Sequence, residues 1–234
     1  MRNEILLIPD KPDIERDSVA KTWIDKGGEV LRIGKFWERP DIDSKRISIY
    51  GNDTFSLVLA QVVGVELMFP RDEVISEIDK MWTKRQIDIL EISQVTETLF
   101  PTFIKPVKPK TFTSKVYDSH ADFLAETNGI EPNEKIIRSD IISIDSEVRA
   151  FILNDKTLDS ALYEGSADLY TANQFLIDFL SDYNVDLPKS FVVDLGYNDK
   201  NGWFIIEFNS SWGAGLNSCN PDKVINGIRE ATIN

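Results

Sequence analysis

Ile5-Leu6-Leu7-Ile8 is an unbroken apolar run closed by Pro9, the pattern of a strand buried on both faces of a parallel sheet. From Asp13 to Lys26 the period changes. Val19, Ala20, Trp23 and Ile24 gather on one side of a helix, which Gly27-Gly28 ends. Val30 to Ile33 reads as the next strand, completing a β-α-β unit. Arg46 to Tyr50 predicts a third strand, and 53–63 a second helix. From Pro70 to Arg85 the helical spacing returns, with Val74, Ile75, Ile78, Met81 and Trp82 as core positions.

Beyond this the chain turns to strands. Thr102 to Lys105 is a short one closed by Pro106, and Lys135 to Ile144 and Val148 to Leu153 are two more. A helix is expected from Asp168 to Leu180, with Leu169, Ala172, Leu176 and Phe179 on one side. A hairpin closes the pattern: Phe191 to Leu195, a polar turn over 198–202, then Trp203 to Asn209. No internal repeat or low-complexity linker interrupts it. No Gly-x-Gly-x-x-Gly follows the first strand and no P-loop pattern occurs, so neither glycine fingerprint of nucleotide binding is present.

At 234 residues the chain can form one large domain or two small ones sharing a cleft. The 26 basic and 39 acidic residues leave a formal charge of −13, which disfavours nucleic acid and anionic membrane as partners. The apolar run after the N-terminus is too short for a secretory signal, and no stretch approaches a membrane span; a cytoplasmic protein is expected. Cys219 is the one cysteine and His120 the one histidine, too few ligands for a zinc site of the usual kind. His120 reads either as a solvated loop or helix-start residue or as a lone recruit to a catalytic unit. Chemistry must otherwise rest on carboxylates, lysines and arginines, with or without a hard metal ion.

The hairpin carries the sharpest signal. Strand alternation puts Glu207 and Asn209 on one face, with Phe204, Ile206 and Phe208 on the other and Trp203 and Ile205 sharing the face of Glu207. Asp194 lies among apolar neighbours on the preceding strand, near that polar pair. Two carboxylates beside an amide oxygen suit magnesium; the alternative is an edge hairpin whose polar residues face solvent. Between Pro101 and Tyr117 the sign of charge reverses, with Lys105, Lys108, Lys110 and Lys115 and no carboxylate. Interleaved with Thr111, Thr113 and Ser114, these lysines are what phosphate oxygens require, or else a basic surface loop. Glu147, Arg149 and Phe151 share a strand face, as a cross-strand ion pair or as an acceptor beside an anion-stabilising arginine. Gly213 and Gly215, near Trp212, mark a turn or a close approach of backbone to a ligand.

In this order the features resemble the ATP-grasp superfamily of carboxylate–amine ligases, most strongly from Met81 to Leu216. Asp194 followed thirteen positions later by Glu207-Phe208-Asn209 is similar to the family's metal triad. Phe103-Ile104-Lys105-Pro106 resembles its phosphate-holding lysine strand, and Lys84-Arg85 its earlier phosphate-contacting basic residue, with Lys110 in the basic segment beyond. Arg138-Ser139-Asp140-Ile141 resembles the hinge that meets adenine, with Glu147 at the ribose; Arg149 matches the acidic-x-Arg-x-Phe segment of peptide-type ligases. Where many of those carry a further arginine on the next strand, this chain has Ser160-Ala161-Leu162-Tyr163.

The resemblance implies an α/β (α+β) ATP-grasp fold in a compact member of phage or bacterial type. A short Rossmann-like region over 1–70 would precede two subdomains clamping ATP, over 71–135 and 136–234. It implies ATP and Mg2+ as cofactors, Asp194, Glu207 and Asn209 as metal ligands, and Lys84, Arg85, Lys105, Lys110, Ser139, Ile141 and Glu147 as nucleotide contacts. Lys105 and Arg149 would be catalytic. The implied activity is an ATP- and Mg-dependent ligase joining small-molecule or peptide acids and amines through an acyl phosphate. A phosphotransferase on the same fold, or a non-catalytic ATP-binding module, are the alternatives.

Overall fold

A computed structural model describes residues 1, 3–42 and 46–234; Arg2 and 43–45 lie outside the described residues. The first apolar run becomes strand β1 (Glu4–Pro9), buried along its whole length as the middle of a parallel sheet. It lies between β2 (Glu29–Ile33) and β3 (Arg46–Ile49). Helix α1 (Ile14–Asp25) begins where the Asp13 carboxylate accepts the Arg16 amide at 2.9 Å. Helix α2 (Asp53–Val63) is capped by Asn52, which accepts the Phe55 amide at 3.0 Å, and ends at left-handed Gly64. Helix α1 packs Val19, Ala20 and Trp23 against one face of the sheet, and α2 packs Phe55, Leu59 and Val63 against the other. A two-residue strand, β4 (Glu66–Leu67), leads out of this layer.

The helix expected over 70–85 is broken. Asp72–Ser76 is a 3-10 turn, and helix α3 spans only Lys80–Thr83. Asp79 adopts an extended ψ of 139° and its carboxylate accepts the Met81 amide at 2.8 Å, so it restarts the helix instead of continuing it. The apolar positions are still buried, except Met81, which is exposed. The next strand, β5 (Ile87–Glu91), is not among the elements expected from the sequence. With β6 (Thr102–Pro106), β7 (Lys115–Tyr117) and β8 (Lys135–Ser139) it forms an antiparallel sheet ordered β5-β8-β6-β7. The strand expected to reach Ile144 stops at Ser139, and 140–145 runs on outside the ladder. Helix α4 (His120–Glu126) covers this sheet through Phe123, and His120 starts it with its ring 5.8 Å from that of Phe100.

The second antiparallel sheet is built from β9 (Ser146–Leu153), β10 (Lys156–Glu164), β11 (Ser190–Asn198) and β12 (Gly202–Asn209), ordered β10-β9-β11-β12. Helix α5 (Leu169–Asp182), capped by Asp168, packs Leu176 and Phe179 onto one face, against Ala150, Val193 and Ile205. On the other face lies α6 (Pro221–Glu230), a helix beyond those expected from the apolar pattern, with an Asn220 cap and a Pro221 start. Its Val224, Ile225 and Ile228 fill the space between Phe151 and Val192 of this sheet and Leu6 and Ile8 of the first. The last strand, β13 (Thr232–Ile233), pairs with β4. The chain's end is thus part of the layer that begins it, and Arg229 donates two hydrogen bonds to Glu4.

Phe151 is fully buried where the two layers meet. Phe151→Ala is expected to cost about 3–5 kcal/mol in urea unfolding, with loss of a single cooperative transition if the layers uncouple. The Arg229 hydrogen bonds hold Glu4 below the usual carboxylate range. That pairing contributes stability fully above the ordinary Glu range, and the contribution disappears as pH falls through the depressed folded value. Glu4→Gln is therefore expected to lower stability at neutral pH and flatten its decline on acidification; an unchanged acid limb would count against the pairing.

Candidate functional site

Asp194 stands opposite Arg149 of β9 on one side and opposite Glu207 of β12 on the other. Arg149 grips it as a fork, Nε donating to Oδ1 at 2.8 Å and Nη2 to Oδ2 at 2.6 Å. The third guanidinium nitrogen, Nη1, donates to the Gly215 carbonyl at 3.0 Å. Asn209 Nδ2 donates to both carboxylates, Asp194 at 3.0 Å and Glu207 at 3.2 Å. From the other sheet Lys105 Nζ donates to Glu207 Oε2 at 3.4 Å. A continuous chain of charge therefore crosses from one sheet to the other, and its two cations and two carboxylates balance.

Burial grades along this chain. Asp194 and Arg149 side chains are 4% and 12% exposed, while Lys105 and Glu207 are 28% and 40% exposed at the open end. Burial raises the Asp194 pKa above the usual carboxylate range, opposed by the Arg149 fork and reinforced by the charges of Glu207 and Glu147. Burial works against the Arg149 charge too, but the Asp194 hydrogen bonds and charge outweigh it and hold the guanidinium protonated. Among the described residues no group of three or more His, Cys, Asp or Glu is placed to hold a metal ion. The hairpin set has two carboxylates and an amide.

Strict alternation does not hold along β12. Asp194 pairs with Glu207 but Leu195 pairs with Ile205, which leaves Ile206 as a bulge. The extra residue resets the parity. Glu207 and Asn209 share the cleft face as the pattern implied, but Trp203, Ile205 and Phe208 enter the core under α5, while Ile206 lines the cleft. Phe204 lies with the cleft side too, under the Arg85 guanidinium at 5.8 Å and against Gly196, where a Cβ would meet its ring at 2.6 Å. The expected grouping of Phe204, Ile206 and Phe208 fails because a bulge is a property of two strands, invisible in one.

The cleft between the sheets has a volume of about 270 Å³. Phe103, Ile137, Ile141 and Ile206 give it apolar walls, and Lys105 and Glu207 lie in its lining. Ser139 and the half-exposed Ile141 line it as well, at the start of the segment between the sheets. Arg85 also borders the cleft, but its guanidinium is engaged. It donates to Ser139 Oγ at 3.0 Å and to the carbonyls of Thr83, Ile205 and Ile206 at 3.0, 2.8 and 3.1 Å. Burial lowers its pKa to about 10. Lys84 is exposed at the left-handed end of α3, and Lys110 is exposed at a left-handed position between β6 and β7; neither lines the cleft.

Glu147 shares the face of Arg149 but lies outside the cleft lining, accepting the Tyr163 hydroxyl at 2.5 Å. A second register shift, between Leu162 and Glu164, lets Tyr163 turn to that face, and Arg149 sits 6.0 Å above its ring. Tyr163 thus stands beside the arginine where the sequence showed only the lack of a second one. The glycine segment after β12 is held by a residue that gave no signal: Glu15 accepts the Leu216 and Asn217 amides at 2.9 and 2.8 Å. A Cβ on Gly215 would meet that carboxylate at 2.6 Å, so the close approach the glycines permit is to the protein's own Glu15.

Removing one partner of the buried fork strands the other. Arg149→Met and Asp194→Asn are each expected to destabilise by about 3–5 kcal/mol, the first leaving a buried carboxylate and the second a buried guanidinium without its counter-charge. In a double-mutant cycle by urea unfolding the paired variant should lose less than the sum; additive losses would mean that the fork carries no coupling.

The family model for the ATP-grasp domain, R2K clade family 2, matches residues 82–226. No curated protein matches the chain in sequence. The RimK domain ATP-grasp protein of Sphaerobacter thermophilus superposes with a TM-score of 0.59 at 14% identity, covering 97% of this chain and 98% of that one. D-alanine–D-alanine ligase from Bacillus anthracis, complexed with ATP, gives 0.55 at 15%, over 97% and 96%. A RiPP-associated ATP-grasp ligase from Chryseobacterium gregarium, in complex with ADP and a leader and core peptide, gives 0.55 at 12%, over 98% and 96%. At such identities the likeness is one of fold, and it agrees with two antiparallel sheets facing each other across an apolar cleft with Lys105 and Glu207 in its lining. The chain belongs to the ATP-grasp superfamily, in family 2 of its R2K clade.

Proposed function

We propose that this chain is an ATP-dependent ligase that activates a carboxylic acid in the cleft and joins it to an amine. The observation that carries the reading is the contact between Lys105 and Glu207, which sets an ammonium and a carboxylate from opposite sheets in the lining of an apolar cleft. A planar base fits between Phe103, Ile137, Ile141 and Ile206, and a phosphate tail fits toward Lys105.

The donor set fits a magnesium ion: Asp194 and Glu207 offer hard oxygens on adjoining strands, close enough for Asn209 Nδ2 to touch both carboxylates, and a turn of that amide would bring its Oδ1 to the same place. Those three residues would hold it, with Asp194 shared between the cation and Arg149. A cation held there would supply positive charge against the phosphate oxygens. Lys105 would hold phosphate oxygens from the facing sheet. Arg149 spends three N–H groups on Asp194 and Gly215, and the two left of its five are free to stabilise the oxyanion of an acid being activated. Tyr163 and the Glu15-held glycine segment border the place where acid and amine would meet, small molecules or peptides by the chemistry of the fold's relatives. Consumption of ATP, release of ADP and phosphate, and formation of an amide would balance the reaction.

ADP release across mixtures of acids and amines tests this directly. Release is expected only with both substrates and magnesium, and Glu207→Gln should lower kcat by about 100-fold or more. Undiminished turnover in that variant rejects the metal assignment. ADP with a phosphorylated product and no amide would make the chain a phosphotransferase, and tight ATP binding without ADP would make it a binding module.

A further inference from the structure

We infer that Arg85 is a positioning residue for the metal-side carboxylate: its guanidinium holds the Ile206 bulge that aims Ile206 and Glu207 into the cleft. The inference rests on the ligase reading for its kinetic readout, but the geometry behind it is independent of any reaction.

A bulge leaves backbone groups without ladder partners, and buried ones must find others. Here the extra residue lies between the Leu195–Ile205 and Asp194–Glu207 pairs. The carbonyls at that point, Ile205 and Ile206, both accept from Arg85, at 2.8 and 3.1 Å. The same guanidinium reaches Ser139 Oγ, at the end of β8, and the Thr83 carbonyl, at the end of α3. Phe204, two residues before the bulge, lies beneath it. One planar group therefore joins three segments at the bulge.

Two features separate this from a phosphate contact. Four of the five N–H groups are already donated, three of them to backbone carbonyls, so little of the fork is left for an anion. And among the described residues Arg85 makes no ion pair: its four hydrogen-bond acceptors are all neutral, with the Asp140 carboxylate acting on it only through its charge, so the part-buried guanidinium serves those acceptors. A lysine could replace a point charge near phosphate, but its single ammonium cannot span four acceptors set around a plane.

The test uses the full chain with Arg85→Lys and Arg85→Met, each checked for a cooperative unfolding transition. Both variants are expected to lose kcat for ADP release by about 100-fold, the loss typical of a group displaced by about 1 Å. Binding of AMP and of ATP in EDTA, by calorimetry, should change less than about threefold for either. Restoration of kcat by lysine overturns the inference. So does a fall in ATP affinity about tenfold larger than the fall in AMP affinity, the signature of a phosphate contact.

Deletion of Ile206 gives an independent reading, since it removes the bulge while leaving the pairings on either side in register. In that background Arg85→Met should have little further effect on kcat, and multiplicative losses would overturn the proposal. If the wild-type chain binds ATP but releases no ADP, the ligase reading fails while this one is still tested. The gain in ATP affinity on adding manganese(II) should then shrink about tenfold in both Arg85 variants, and an unchanged gain overturns it.

Discussion

Asp194 is a carboxylate taken out of water at the middle of an antiparallel sheet, and the Arg149 fork is what makes that position tolerable. Its neighbours on the same face follow from the pairing. The strand to one side must supply a guanidinium, and the strand to the other carries Glu207 and Asn209, whose amide satisfies what the fork leaves open. A charge network beginning in a dry floor and ending at half-exposed Lys105 and Glu207 has a rigid end and an accessible end. Rigid charge behind an open ammonium–carboxylate pair is the arrangement electrostatic catalysis needs, because little reorganisation is left to do when charge develops.

The sheet that carries this network is held from both sides. Helix α5 covers one face, and α6 fills the other against the parallel layer of β1. Phe151 and Val192 on that second face are strand neighbours of Arg149 and Asp194, so the core joining the layers continues directly into the site. The same layer contributes Glu15, which fixes the loop whose Gly215 carbonyl receives the third Arg149 hydrogen bond. The N-terminal region is thereby a structural partner of the site as well as a neighbour to it.

Two irregularities do the aiming. The bulge at Ile206 lets β12 present aromatic and aliphatic residues to α5 and still turn Ile206 and Glu207 to the cleft; the shift near Tyr163 brings a phenol to Glu147 and Arg149. A regular ladder offers each face one residue in two, and a site needing two adjacent side chains on one face has to break that rule. Each break exposes backbone groups or crowds neighbours, which is why Arg85 and Gly196 lie beside the first.

Period and punctuation along the chain were enough to place β1, α1, α2, α5 and the β11–β12 hairpin, because each depends on local spacing and a nearby cap or turn. They also placed Glu207 with Asn209, and Glu147 with Arg149 and Phe151, since two-residue alternation survives wherever a strand is regular. The order of Lys105, Arg149, Asp194 and Glu207 carried the family. Other features were settled only in three dimensions. Asp79 divided the expected 70–85 helix, a choice between two local hydrogen-bond patterns that apolar spacing does not register. The parity of Phe204 and Ile206 depended on a partner strand's register, and the acceptors of Arg85 lie on segments up to 121 positions away. Glu15 reached the glycine loop across 201 positions. A sequence records which groups a chain possesses and how they repeat; which buried donor meets which orphaned carbonyl is decided by packing, where every such group must find a partner or be excluded.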